Sequence, residues 1–346
     1  MASRLRGDEE LAVSEVLGVV MLLAMVVTMM GGVFVMLTPY ISDYQDNSSW
    51  ANANGIAERL DGRMEVVGGA SEGTGIKTTI PSATSSISPM INIETWTLSA
   101  DLTADERIEV EYLNETRFTV LAYNESATSV TIWTPNGVQN SNFNTSAEAV
   151  LIEHNLSLHS LFVITIFDAE NNPLHRTAQI QISGLKIITN VQNGEHEIAL
   201  INDARYDLFP SESWSVEERP DLEIDELIDD SMRASLRLRD VKINGSTPNG
   251  RNTEMELVSL GPMELFSGDA WHFRFTYHSN LGHSITPQMH EGWLTDYTLN
   301  RASDTLETFR GISPWLRASG SDGFTIDGGD NRIDLEIDLQ RIEVSG

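Results

Sequence analysis

The chain has 346 residues, with 51 acidic and 22 basic side chains and a formal net charge of −29. Such a field repels polyanions over at least a Debye length and offers no clustered cations to phosphates, so nucleic acid is excluded as a partner. Cysteine is absent, which excludes disulfide staples, thiol nucleophiles, iron–sulfur clusters and Cys-based zinc sites, and leaves core burial to hold the chain together.

The first element is a helix. No charged side chain occurs between Glu15 and Asp43, and Val16 to Thr38 is almost wholly apolar. As a helix this segment reaches about 35 Å, enough to cross a hydrocarbon core of about 30 Å with some tilt. It is too long for the apolar region of a cleaved secretory signal, and the nearest A-x-A, Ala51-Asn52-Ala53, lies beyond Tyr40, Asp43 and Asp46. Arg4 and Arg6 precede it, and no Lys or Arg follows until Arg59. The positive-inside rule therefore places the N-terminus in the cytoplasm of a single-pass cell-membrane protein and the large C-terminal part outside. Membrane lipid is the partner this segment implies. Residues 1–42 carry a net −2, which leaves −27 on the exterior part, where Lys77, Lys186 and Lys242 are the lysines. Salt screening relieves the self-repulsion of such a surface, and plain solubility accounts for it equally well.

After Pro39, where a kink or break is expected, Ile56, Leu60, Met64 and Val67 recur at helical spacing on one face until Gly68-Gly69 stops the helix. Residues 69–90 are rich in Ser, Thr and Gly and read as a linker. From about residue 91 strands dominate. Phe273, Phe275 and Tyr277, with Trp271 before them, alternate with polar residues, as do Ile333, Leu335, Ile337 and Leu339. Further strands are expected at 107–112, 117–123, 129–134, 161–167, 178–188, 196–201 and 235–243, punctuated by Asn136-Gly137, Asn193-Gly194, Asn244-Gly245 and Asn249-Gly250. A helix is expected near Asp221 to Met232, opened by Pro220. The predicted architecture is a long N-terminal transmembrane α-helix followed by an all-β, antiparallel sandwich-like extracellular domain at 91–346, in one unit or two.

Arg6-Gly7, then Ala12-Val13-Ser14-Glu15-Val16-Leu17-Gly18-Val19-Val20 entering the apolar helix, resemble the N-terminus of archaeal type IV pilin-like proteins, the superfamily that includes archaellins. The resemblance covers about the first 40 residues. It implies a leader at 1–7 removed by a prepilin-type peptidase between Gly7 and Asp8, and a mature helix, 8–68, that packs against other pilin-like subunits in a filament. Bacterial members pair an early carboxylate with a neighbour's new amino terminus. Glu15 is the residue here that could do so, or it sits at the headgroup level of a membrane.

Six sequons, at Asn47, Asn114, Asn124, Asn144, Asn155 and Asn244, are candidate N-glycosylation sites on an exposed domain. His272, His278, His283 and His290 lie close in sequence without metal-ligand spacing, so no metal is expected there. Asp322, Asp327, Asp330 and Asn331 offer oxygen ligands of the kind calcium takes, but not in EF-hand order, and an Asp-Gly turn between strands explains the same letters. The acidic run from Asp221 to Asp230 reads as a solvated face. G-x-S-x-G, P-loop and dinucleotide fingerprints are absent, so no catalytic residue and no cofactor is expected. The leading expectation is a type IV pilin-like surface protein, a minor filament subunit serving adhesion or display. A permanently anchored extracellular binding module is the alternative, and a tethered hydrolase with an unrecognised site the third.

Overall fold

The computed structural model describes residues 2–80, 85–103, 108–114, 117–122, 127–143, 149–153, 160–226, 232–244, 253–293, 316–318, 323–327 and 332–346. A single helix, α1 (Ala2–Gly68), passes through Pro39. The break expected there does not occur. Proline denies the Val35 carbonyl its helical donor, yet the helix continues on both sides, and the Thr38 hydroxyl donates to the Phe34 carbonyl at 2.7 Å.

Among the described residues twenty strands follow. They are β1 (Gly75–Ile80), β2 (Ser85–Asp101), β3 (Ile108–Asn114), β4 (Arg117–Ala122), β5 (Ser129–Thr134), β6 (Gly137–Asn142), β7 (Ala149–Glu153), β8 (Leu161–Phe167), β9 (Pro173–Val191) and β10 (Gly194–Ile201). The series continues with β11 (Ala204–Leu208), β12 (Ser215–Glu218), β13 (Leu222–Glu226), β14 (Met232–Ile243), β15 (Thr253–Ser259), β16 (Met263–Ala270), β17 (His272–Ser279), β18 (Leu316–Ala318), β19 (Gly323–Asp327) and β20 (Ile333–Ser345). One sheet runs β1-β15-β20-β14-β13 with β16 also on β20; a larger one runs β12-β11-β10-β9-β2-β17-β19-β18 with β8, β5 and β6 branching from β9; a small one runs β3-β4-β7. All pairings are antiparallel except β14 with β20.

Three apolar clusters hold these layers together. In the largest, Trp96, Leu98, Ile180, Phe273 and Phe275 of the large sheet meet Leu236, Leu238, Phe266, Leu335 and Ile337 of the other sheet. Residues 285–293 are helical and add Ile285, Met289 and Trp293, four residues apart, to the same core. The second cluster belongs to α1: Ala53, Ile56, Ala57, Leu60, Met64 and Val67 lie against Leu185, Ile187, Ile198 and Leu200 on one side and Met255, Leu257, Ile342 and Val344 on the other. In the third, Ile108, Phe118 and Val120 of the small sheet cover Val130, Ile132, Ile164 and Ile166 of β5 and β8.

The strand alternation at 273–277 and 333–339 faces the core as the sequence predicts. Two expectations are corrected. The linker at 69–90 contains β1 and the start of β2, because Ile80 and Ile87 turn into the core beside α1 and outweigh the Ser/Thr-rich composition around them. Where a helix is expected at 221–232, Leu222–Glu226 form β13, antiparallel to β14 with Leu222↔Leu236 and Glu226↔Met232 in register, because Leu222 and Ile224 pack on the main core at period two; 227–231 lie outside the described residues.

Candidate functional site

The join between the apolar helix and the β domain is where the structure concentrates its polar chemistry. From Val16 to Leu37 the large apolar side chains of α1 are exposed, whereas Ile56, Leu60, Met64 and Val67 are at most 2% exposed. Among the described residues this is the one helix long and apolar enough to cross a membrane. Burial of a large aliphatic side chain is worth roughly 1.5–3 kcal/mol, so these four contribute on the order of 6–12 kcal/mol, comparable with the whole stability of a typical domain. Detaching the helix would expose this surface and the strand residues it covers.

At the lower edge of this contact the Asp46 carboxylate accepts the Gln192 N–H at 3.0 and 3.2 Å, pinning the β9–β10 turn to the helix. Trp50 lies 6.4 Å from the His196 ring, which stacks on Phe209 at 4.5 Å. Burial pushes the His196 pKa down, against the pull of Asp207.

A buried polar seam separates the first two clusters. Its centre is Arg239 of β14, 1% exposed. The Arg239 guanidinium pairs with Asp61 of α1 at 3.1 Å and with Asp203 at 2.6 Å, and its Nε donates to Gln340 Oε1 at 3.2 Å. Asp203 is placed by a two-residue turn between Ile201 and Ala204 in which Asn202 and Asp203 have φ of 54° and 58°, the left-handed conformation that Asn and Asp tolerate. Asn202 Oδ1 accepts the Arg239 backbone N–H at 2.8 Å. Burial raises the Asp61 pKa despite Arg239, and raises that of Asp240 although its carboxylate accepts the Ser183 N–H.

On the sandwich side of the seam Glu94 is fully buried. Its Oε1 accepts from the hydroxyls of Tyr206 at 2.5 Å and Tyr277 at 3.2 Å, and its Oε2 accepts from Trp96 Nε1 at 3.0 Å. Burial is the dominant effect and pushes the Glu94 pKa up to about 7, while these donors pull it down. Burial, and then the neighbouring Glu94, drive both tyrosines well above their ordinary value. Glu94 adjoins a register shift in β2, where Asn92 has φ of 51° and its N–H donates to Ser183 Oγ at 3.0 Å. The alternation Glu94, Trp96, Leu98, Ala100 already puts an acid on an inward face, a signal legible in sequence. Arg239 gives no such signal, because alternation from Leu236 and Leu238 turns it to the opposite face of β14, and only the docking of α1 buries that face.

Those sequence-predicted residues that lie among the described ones are spread over separate elements. Gly7, Asp8 and Glu15 lie on α1 ahead of its apolar stretch. Asn47 is on an exposed part of the same helix, Asn114 ends β3, and Asn244 is exposed beyond β14 with its Nδ2 donating to Glu343 at 3.2 Å. Asn124, Asn144 and Asn155 fall outside the described residues, as do Asp322, Asp330 and Asn331, while Asp327 ends β19. His272 and His278 lie on β17; His290 is buried against Trp293 and Phe324, and His283 is exposed. Among the described residues no three His, Asp or Glu side chains gather as metal ligands.

Residues 12–82 match a family of unknown function (DUF7289). That stretch holds the apolar helix, its packed second half and β1. No curated protein matches the chain. Among solved structures it is similar to a DUF3244 family protein with an immunoglobulin-like β-sandwich fold from Bacteroides vulgatus, at 14% identity over 24% of this chain and 96% of that one, TM-score 0.18. It is also similar to the superoxide reductase from Treponema pallidum, at 12% identity over 22% of this chain and 69% of that one, TM-score 0.17. The fn3 domain of human collagen alpha-1(XX) is similar at 8% identity over 30% of this chain and 81% of that one, TM-score 0.14. Likenesses this slight carry no argument about function.

Proposed function

We propose that this chain is a pilin-like surface subunit, whose apolar helix is embedded in a membrane or in the core of a filament and whose acidic β domain is displayed outside the cell. One observation carries the reading: a single helix is bare and apolar in its first half and forms a wall of the domain core in its second. A tether needs only a flexible linker between anchor and domain. Here the domain is built onto the helix, as suits a subunit whose outer surface must keep a fixed relation to helices packed inside. Arg4 and Arg6 before the apolar run, and the lack of basic residues after it until Arg59, favour an exterior domain. The role is mechanical and adhesive rather than catalytic, with other pilin-like subunits, membrane lipid and a prepilin-type peptidase as partners.

The alternative, a permanently anchored display or binding module, draws on Asp8, Glu9, Glu10 and Glu15, which put four carboxylates between the cut and the apolar run. Peptide mass spectrometry of the protein from its native membrane separates the two. A mature N-terminus at Asp8 supports the processed subunit; a chain that keeps residues 2–7 refutes it and leaves the anchored module.

A further inference from the structure

Sheet edges are where folded chains risk pairing with one another, and charged residues are a common guard. Among the described strands, seven at sheet edges carry them: Lys77 on β1, Glu109 on β3, Glu153 on β7, Glu217 on β12, Glu223 on β13, Glu264 on β16 and Arg317 on β18. The strand β6, Gly137-Val138-Gln139-Asn140-Ser141-Asn142, carries none and contains no proline. Among the described strands it pairs only with β5, and five of its six residues are exposed. It lies within Ser126–Ala147, a stretch without one charged side chain in a chain of net charge −29. Two copies of so acidic a molecule repel each other over most of their surface, and this edge is where they can meet without opposing carboxylates.

The hairpin fixes which backbone groups are offered. Thr134 pairs with Gly137 around a two-residue loop. Alternation of narrow and wide pairs then turns the N–H and C=O of Val138, Asn140 and Asn142 away from β5. Three evenly spaced outward residues form a self-complementary row with Asn140 at its centre.

We propose that β6 is an association edge at which a second copy of this chain adds its own β6 antiparallel, centred on Asn140. Val138 of each copy then lies opposite Asn142 of the other, and the two large sheets become continuous. About six backbone hydrogen bonds form. An interface this small is weak between free molecules, but copies held in one membrane meet at high effective concentration. The inference concerns the β domain alone and stands whether or not the N-terminus is cleaved.

A chain without cysteine allows a direct test. Single variants Val138→Cys, Asn140→Cys and Asn142→Cys, with Lys77→Cys on the β1 edge as control, are made in the full chain, reconstituted in phospholipid vesicles and oxidised with copper phenanthroline. At the centre of the pair the two Cα atoms are about 5.5 Å apart, within disulfide range, whereas each Val138 or Asn142 is about 14 Å from its own counterpart. The expected result is a covalent dimer for Asn140→Cys at least fivefold above the other three. Equal crosslinking at all positions, or none at Asn140→Cys, overturns the proposal, including the case in which a strand of a different protein occupies the edge. In the second arm, Asn140→Lys is expected to lower the uncrosslinked dimer fraction, read by single-molecule photobleaching in the same vesicles, with an unchanged circular dichroism melt. An unchanged dimer fraction overturns the proposal as well.

Discussion

Replacing Glu94 by Gln removes a fully buried carboxyl whose pKa burial pushes up to about 7, and the consequence can be worked through. The Glu94 pKa is raised from 4.5 to about 7 in the folded protein, while the unfolded chain releases this proton near the ordinary glutamate value. A carboxyl held protonated by folding contributes nothing adverse below pH 4.5. Between pH 4.5 and 7 the unfolded state ionises first, so stability falls as pH rises, and above 7 both states are ionised and the loss is complete. A difference of 2.5 pH units at 1.36 kcal/mol each gives about 3 kcal/mol. The assay is urea unfolding of the full chain in detergent micelles at fixed ionic strength, followed by tryptophan fluorescence, in wild type and Glu94→Gln from pH 4 to 8.5. General charge repulsion weakens both proteins alike at high pH, so the informative quantity is the difference between them. Wild-type stability is expected to fall relative to Glu94→Gln by about 3 kcal/mol across that range, mostly between pH 4.5 and 7. A difference that stays flat would refute the assignment of Glu94 as a buried, protonated acid.

Other perturbations probe the join. Leu60→Ala empties a fully buried position between helix and sheets, and a loss of about 2–5 kcal/mol is expected by the same unfolding assay. The exposed neighbour Val66→Ala should change stability by less than about 0.5 kcal/mol. Arg239→Ala leaves Asp61 and Asp203 without their cation; a loss of about 3–5 kcal/mol is expected, and less if Asp61→Asn is added, because part of the uncompensated charge is then removed. A Cβ at Gly184 would run into the Leu200 carbonyl and the Ile201 side chain, so Gly184→Ala should cost about 1–3 kcal/mol and lower the melting temperature seen by circular dichroism.

What could be read from the sequence was what repeats locally. Ile56, Leu60, Met64 and Val67 announce a helix face at four- and three-residue steps, and Ile333 to Leu339 announce a strand face at two. Neither spacing names the surface it meets, so the meeting of α1 with β9, β10, β15 and β20 came only with the fold. Residues 69–90 misled because Ser and Thr suit loops and exposed strand faces alike, and the deciding inward residues, Ile80 and Ile87, are few. At 221–232 acidic residues hid a period-two pattern of Leu222 and Ile224. The polar seam was half legible: Glu94 falls on an inward face by simple alternation, but Arg239 lies on the opposite face of β14, with Val241, and only the docking of α1 shows that this face is buried.

Because α1 runs without a joint from Val16 to Gly68, it acts as a lever. At 1.5 Å per residue the lever is about 78 Å long, so a change of about 10° in its tilt sweeps the far end sideways by about 14 Å. Its apolar stretch of about 35 Å exceeds a hydrocarbon core of about 30 Å, and a helix with that mismatch leans by up to about 30° to hide the surplus. Where the helix spans a bilayer, the thickness of the lipid would thereby set the lean of the β domain, and a thicker bilayer would stand it upright.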